Sequence, residues 1–386
     1  MKKYLLLINL CFSFIGLEAQ TNVKAADTYP DIERFGDSAR HWYRIFDDDR
    51  VIEPVEDQKR YDPSEISKIA DNILLFQKDN GGWAKNYDMR AILTEDQRQD
   101  VIASKPAQNT TFDNGATHGQ LTYLAEAYTV TKDERYKQAF IKGIHFVLAA
   151  QYDNGGWPQS YPDSSGYRKH ITFNDDAMIG VMVLLQYVAQ DAPDYSFLDD
   201  MLKNRVKQAY HKGIDCILKC QIVDQGKKTA WCQQHDHVDF SAQNARKFEK
   251  ASICNKESSQ IVNFLMQLEN PEQEIIESIE AAVSWFKESE IHGIRVEWIE
   301  STEAEFIYHK TRYDKIIIED AQAPRIWARF YELGTHKPIF CSRDGSVHYA
   351  MSEIDRDRRT GYGWYNYAPE EVFTLYDQWH KKINGE

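Results

Sequence analysis

Apolar residues recur at helical spacing in the runs IADNILLF, GIHFVLAA and GIDCILKC, and each run ends at a glutamine, Gln77, Gln151 or Gln221. The three glutamines fall 74 and 70 residues apart. The turns beyond them repeat as well. ILLFQKDNGGWAKN from Ile73 returns as FVLAAQYDNGGWPQS from Phe146, and more loosely as CILKCQIVDQGKKTAWCQQ from Cys216. IEAAVSWF from Ile279 is a degenerate fourth copy. The pattern predicts a buried inner helix ending at each Gln. Second helices are predicted between them, over 119–130 (GQLTYLAEAYTV) and 177–190 (AMIGVMVLLQYVAQ). Two helices per period of about 70 residues make hairpins that bury their apolar faces only against their neighbours. An α/α toroid of such hairpins satisfies that requirement.

The pattern changes near residue 290. IRVEWIE and EFIYHKTRYDKIIIED alternate as strands or extended loops do, and Pro324 is predicted to open a helix, PRIWARFYELG, that stops at Gly334. The expected fold is therefore all-α dominated, with hairpin repeats over about 62–290 and some short strands and loops over about 290–386. At the other end, Lys2 and Lys3 precede the apolar run Tyr4–Ile15, with small Gly16 and Ala19 before Gln20. Residues 1–19 read as a secretory signal peptide, because the run is shorter than the ~20 residues of a membrane span. Residues 20–386 are expected to form a single domain, exported to the periplasm or secreted. Lipid anchoring at Cys11 is the minor alternative, since Asn9 and Leu10 are bulkier than the residues that usually precede a lipidated cysteine. No other stretch is long enough to cross a membrane.

A net charge of −14 argues against nucleic acid as a partner and would repel an anionic polymer at long range. An acidic-sugar substrate would therefore need a local basic cleft. The five cysteines after the signal segment are odd in number and lack the spacing of a disulfide framework. Aromatic residues make up 13% of the chain, enough to raise sugar stacking, but for Trp83 and Trp157 in the DNGGW turns packing is the preferred reading.

The loops after the glutamines should converge on one face of a toroid, and function should sit there. Two acidic clusters lead into the second helices: TFDNGAT, with Asp113 and Asn114, and ITFNDDAM, with Asn174, Asp175 and Asp176. One alone would read as a helix N-cap. A pair on one face suits a hard cation such as Ca²⁺. His235 and His237 in CQQHDHVD lack a matching ligand motif, so zinc is the weaker reading. Arg246 in AQNARKFEKAS, Arg329 in WARFYE and Arg343 in IFCSRDG carry planar forks that suit carboxylates, although spacing alone would make them surface charges.

TFDNGATHGQLTYLAEAY, QYDNGGWPQSYP, ITFNDDAMIGVM, TAWCQQHD, WARFYELGTHKPIFCSRDG and RRTGYGWY occur in series from about Asp71 to Trp364. Together they resemble the pectate lyases of polysaccharide lyase family 10. The resemblance implies an α/α toroid, Ca²⁺ as cofactor, and polygalacturonate cleaved by β-elimination to 4,5-unsaturated oligogalacturonides. It implies Asp113 and Asp175 as calcium ligands with Asn114 beside them in the subsite, Arg246 as catalytic base, and Arg329 and Arg343 as binders of substrate carboxylates. The family's active-site lysine has no clear counterpart, with Lys203 the nearest. A monomer is expected.

Elimination removes the C5 proton, α to a carboxylate, while the C4 oxygen leaves, so the site must neutralise that carboxylate. Other readings keep the fold. Gln77, Gly81 and Trp83, with Gln151, Gly155 and Trp157, also fit a turn of the toroidal triterpene cyclases, but the aspartate-rich acid motif of those enzymes is missing. An inverting glycoside hydrolase would use Asp113 and Asp175 as acid and base. A noncatalytic pectin-binding protein would use the same aromatic and arginine groups without a base.

Overall fold

In a computed structural model, which describes residues 29–45 and 50–385, the glutamines that mark the repeats are the fasteners of the ring. The helices run α1 (Gly36–Arg44), α2 (Ile66–Phe76), α3 (Glu95–Ala103), α4 (His118–Thr131), α5 (Glu134–Ala150) and α6 (Ala177–Ala189). They continue as α7 (Asp200–Cys220), α8 (Asn255–Leu265), α9 (Gln273–Glu288), α10 (Arg356–Gly361) and α11 (Ala368–Asn384). Gln77, Gln151 and Gln221 are the C-caps of α2, α5 and α7, each turned to extended backbone. Gln77 Nε2 donates to Gly81 O of its own turn and to Ala139 O in α5, both at 2.9 Å. Gln151 donates to Gly155 O at 3.0 Å and Ala209 O of α7 at 2.8 Å, and Gln221 to Thr229 O and Ser278 O of α9, both at 2.9 Å. Each side chain thus closes its own turn and staples the next hairpin on. Each bond contributes about 1 kcal/mol net, and more would be lost if its buried carbonyl were left bare.

A tryptophan succeeds each cap and folds back on the helix it left. Trp83 Nε1 donates to Ile73 O at 2.8 Å, Trp157 to Val147 O at 2.9 Å and Trp231 to Ile217 O at 2.8 Å. All three rings are fully buried, so packing, not sugar stacking, is their role. In the two DNGGW turns, Gly81 and Gly155 take φ of +101° and +96°, and a Cβ would run into the Lys142 and Lys212 carbonyls of the neighbouring hairpins. Only glycine fits there.

Burial reverses the expected layering. The helices that end at Gln are amphipathic, with Lys142, His145, Lys212, Asp215 and Lys219 on the solvent-facing side of α5 and α7. They form the outer layer. α4 exposes nothing before Val130, α6 exposes only Tyr187, and α8 exposes nothing, so the second helices are the inner layer. Polar residues three or four apart mark a solvated face. The nearly unbroken apolar run of α6 marks burial on all sides.

The fourth copy is α9, but a long antiparallel hairpin, Ile294–Glu305 with Lys310–Glu319, intervenes before its tryptophan. That tryptophan is Trp327, whose Nε1 donates to Phe286 O at 2.8 Å. The helix predicted from Pro324 is therefore wrong. Trp327–Ala328 and Phe330–Glu332 are strands, because the segment is a fourth tryptophan loop that pairs with its neighbours, Phe330 facing Cys254 and Ile339. The alternating runs do form the expected strands. The five cysteines of the described residues are free and buried, and no helix among those residues is long and apolar enough to cross a membrane. The proposed signal segment, 1–19, lies outside the described residues.

Candidate active site

Three segments lead from the tryptophan loops into the inner helices, and each is registered by one backbone bond. Thr111 N donates to Trp83 O at 3.0 Å, Thr172 N to Trp157 O at 3.1 Å and Cys254 N to Trp231 O at 2.7 Å. Counting two residues on gives Asp113, Asn174 and Lys256; counting three gives Asn114, Asp175 and Glu257. The repeat therefore sets charge against charge at equivalent places. The turns Asp113–Gly115 and Asn174–Asp176 pack against each other at the face where inner helices begin.

These turns are strained. Asn114, Asp175 and Asp176 have φ of +52°, +47° and +62°, which short polar side chains tolerate, but Thr117 at φ +66° is β-branched and does not. Thr117 is held there by its hydroxyl, which donates to Thr111 O at 2.8 Å and accepts from Trp83 N at 3.1 Å. Such backbone clusters at functional sites, where the surroundings hold it in place. Asn114 donates from Nδ2 to Asn86 Oδ1 at 2.8 Å, and its carbonyl accepts from Ser38 Oγ at 2.8 Å.

Asp113 Oδ2 accepts from Lys85 Nζ at 2.6 Å, while its Oδ1 is buried with no hydrogen-bond partner. Asp175 accepts from Asn174 Nδ2 at 2.6 Å and lies 3.6 Å from Lys256 Nζ. Burial would raise the Asp175 carboxyl, but Arg329, Lys256 and Arg246 outweigh it and hold the group below the ordinary range. At Asp176 burial wins. With Lys256 opposing and Asp175 and Glu257 adding, that carboxyl is pushed up to about 6.

The arginines form a basic wall around Phe248 and Tyr362. Arg329, 8% exposed, donates from Nη2 to Glu257 Oε1 at 2.7 Å and to Asn174 Oδ1 at 3.0 Å, with its guanidinium 4.8 Å from the Tyr362 ring centroid. Burial alone would lower its pKa, but the fully buried Glu257 carboxylate holds it well above the usual value. Arg246 donates from Nε to Glu249 Oε2 at 2.8 Å, and its side chain remains 46% exposed and open to a ligand. Burial opposes the charge here too, and Glu249 outweighs it and raises Arg246. Arg343 donates from Nε to Asp357 Oδ2 at 2.5 Å and lies 5.1 Å from the ring of exposed Tyr308. Of the predicted residues, Asp113, Asn114 and Asp175 lie on turns that pack together, Arg246 and Arg329 act on the Asp175 carboxyl, and Arg343 shares the Phe248 ring with Arg246.

Sequence reasoning missed several members. Arg358 packs its guanidinium 3.8 Å from the Phe248 centroid and 4.9 Å from that of Tyr362, and its Nε and Nη2 are buried without a hydrogen bond. Burial, with Arg343 adding, lowers it to about 10. Lys203 is not in the site. Its Nζ bonds Asp191 at 2.9 Å in the first turn of α7, about 25 Å along the helix from the Gln221 end. Lys85 and Lys256 are the site lysines. The register identifies both: Lys256 stands where the first repeat has Asp113, and Lys85 stands two residues after its tryptophan, as Gln159, Gln233 and Arg329 stand after theirs. His235 is spent on structure, accepting from Cys232 N at 3.0 Å and facing Phe240 O at 2.8 Å.

Hard oxygen donors fit calcium at the two turns, since Asp113 offers an unbonded buried oxygen and Asp175 an ionised one. Among the described residues, however, only His170, Asp236 and His237 bring ligand atoms of three His, Cys, Asp or Glu side chains within 4.8 Å of one another, and two of those atoms are nitrogens. Ca²⁺ takes roughly six to eight oxygens, so at the aspartate turns much of its shell would be water and anionic ligand.

The family described as pectic acid lyase matches residues 77–373. Among solved structures, the chain is similar to a family 10 polysaccharide lyase from Cellvibrio cellulosa, with TM-score 0.68 and 30% identity over 81% of this chain and 91% of that one. An aspartate-to-alanine mutant of that lyase, in complex with trigalacturonic acid, matches with the same score and identity over 81% of this chain and 92% of its own. Among curated proteins no relative matches.

Proposed function

Because the chain belongs to the pectic acid lyase family and is a pectate lyase, we propose that it cleaves α-1,4-linked polygalacturonate by calcium-assisted β-elimination, giving 4,5-unsaturated oligogalacturonides. The observation that carries this reading is the buried, unbonded Oδ1 of Asp113 beside an ionised Asp175, set against a wall of arginines in a chain of net charge −14. A polyanion needs that local reversal of sign. The trigalacturonic acid held by the Cellvibrio cellulosa enzyme supports the same substrate class for this chain.

Asp113 and Asp175 are the residues that would hold calcium, with Asn114 alongside. Bound there, the ion would neutralise negative charge on a uronate carboxylate. Arg343, at the open rim, grips a carboxylate through its free guanidinium edge. Arg329 presents what Glu257 and Asn174 leave of its fork, in an orientation those bonds fix. Lys256 adds positive charge between Asp175 and Glu257. The gripped sugar places its C5 proton toward Arg246, half exposed on the same wall. Arg246 takes that proton in its neutral form, the C5–H electrons form the C4–C5 double bond, and the C4 oxygen departs. Removal of the C5 proton α to a gripped carboxylate is the step this wall promotes electrostatically. We infer export through residues 1–19 and a monomeric, single-domain enzyme over 20–386.

Metal dependence tests the proposal. Exhaustive chelation should abolish cleavage, and Ca²⁺, not Zn²⁺, should restore it. Asp113→Ala should raise the Ca²⁺ concentration needed for half activity. Full activity after chelation overturns the calcium assignment.

A further inference from the structure

The strand pair beside the acidic turn creates a second constellation that the lyase chemistry does not use. Ile171–Thr172 pairs antiparallel with Gln234–His235, in the register Ile171 opposite His235. One step outward along that register, His170 stands across from Asp236. His237 comes next, fixed by Asn154 Nδ2, which donates to its carbonyl at 2.8 Å, and by the Tyr152 ring, 5.3 Å between centroids. Asp236 is aimed as well. Its Oδ1 accepts from Val238 N at 2.8 Å, and its Oδ2 faces His170 Nδ1 at 3.9 Å. That separation is too long for a hydrogen bond.

His170 is only 7% exposed, yet its Nδ1 has no hydrogen-bond partner, and neither has Nδ1 of His237. A buried imidazole nitrogen without a partner is costly unless something occupies its lone pair or proton. Ligand atoms of all three side chains lie within 4.8 Å of one another. In a tetrahedral zinc site with bonds of about 2.0–2.1 Å, ligand atoms sit roughly 3.4 Å apart, so a small closure brings these three onto one ion.

We propose that His170, Asp236 and His237 form a binding site for a divalent transition ion of the zinc class, distinct from the calcium site, with a fourth position open to water. Two imidazoles and one carboxylate suit Zn²⁺ and its neighbours, whereas Ca²⁺ demands oxygen. The ion clips two loops together. His170 lies four residues before Asn174, at the start of the acidic turn, and Asp236 and His237 lie on the loop that continues to Arg246. Its role is to lock the second repeat's connection to the third's.

The test is zinc binding by the untagged full-length protein, dialysed free of metal and titrated with ZnCl₂ by calorimetry, with thermal unfolding in parallel. One equivalent should bind saturably, and at about 100 times Kd the melting temperature should rise by about 3–4 °C. Ca²⁺ at the same concentration should not displace it. His170→Gln and His237→Gln should each abolish both binding and the shift, and circular dichroism reports whether each variant is folded. His237 is the less buried of the two, so it carries the test if His170→Gln unfolds. Co²⁺ should give the visible absorption of a nitrogen-ligated ion in wild type, lost in His237→Gln. Absence of saturable zinc binding, or unchanged binding in folded His237→Gln, overturns the proposal. Neither result bears on the lyase reading, whose readout is cleavage with Ca²⁺.

Discussion

A guanidinium can accept a proton only after giving one up, and Arg246 is held against that by Glu249, whose carboxylate takes hydrogens from both its Nε and its Nη2. If Arg246 is the base, the rate should climb with pH into the alkaline range. Glu249→Gln removes the charge that raises Arg246, so it should move the rising limb of the pH–rate profile to lower pH; a profile that does not move would mark Arg246 as a clamp. Arg246→Ala should lower kcat by orders of magnitude with a smaller change in KM. Arg329 and Arg343 should separate by burial. Removing Arg329 leaves the buried Glu257 without its partner, so Arg329→Ala should cost roughly 3–5 kcal/mol in denaturant unfolding. Arg343→Ala, at the rim, should leave stability nearly unchanged and raise KM. At this scale the motifs put forward Asp113, Asp175 and Arg246 as candidates through the family resemblance, and the structure sets the turns of Asp113 and Asp175 against each other. Glu257 and Arg358 could not be read in that way, because their neighbours are distant in sequence, as Glu257 meets Arg329, while Lys85 and Lys256 emerge only once the backbone bonds fix the register of the repeats.

Among the elements, the repeated geometry of the hairpin lies in its cap. Gln77→Ala removes two bonds and strips two carbonyls, Gly81 O and Ala139 O, so it should destabilise by roughly 2–4 kcal/mol without touching the cleft. A cost below about 0.5 kcal/mol in chemical denaturation would mean the cap is incidental. Helical period and repeat were readable because the polar faces of α5 and α7 must meet water. The layer order was not, because an apolar pattern at helical spacing marks a helix with one solvated face, whereas a helix buried on all sides shows little pattern at all. The segment after Pro324 hid its strands for another reason. PRIWARFYELG contains good helix formers, but Trp327 completes the fourth hairpin by capping Phe286 O, and Phe330 pairs with Cys254 far back in the chain, which local propensity cannot register.

Across the whole molecule, a histidine must stay uncharged for the fold to keep its full stability. His118, half-buried at the start of α4 with its Nε2 shut off from solvent and unpartnered, is lowered by burial to about 4 from 6.5. Its unfolded form therefore takes a proton first as pH falls from 6.5 toward 4, and stability is lost across that window and not above it. The loss should approach roughly 3 kcal/mol in urea unfolding and be smaller in a folded His118→Gln variant. The net charge of −14 makes a related demand, since a polyanion must find one cationic wall on an anionic surface. That wall and the acidic turns beside it are the groups the proposed elimination would use. The direct measurement is mass spectrometry of the fragments released from polygalacturonate in the presence of Ca²⁺. Elimination predicts that every cut leaves an unsaturated non-reducing end, lighter by one water than the saturated oligomer of the same length; fragments saturated at both ends, with one water gained per cut, would contradict it.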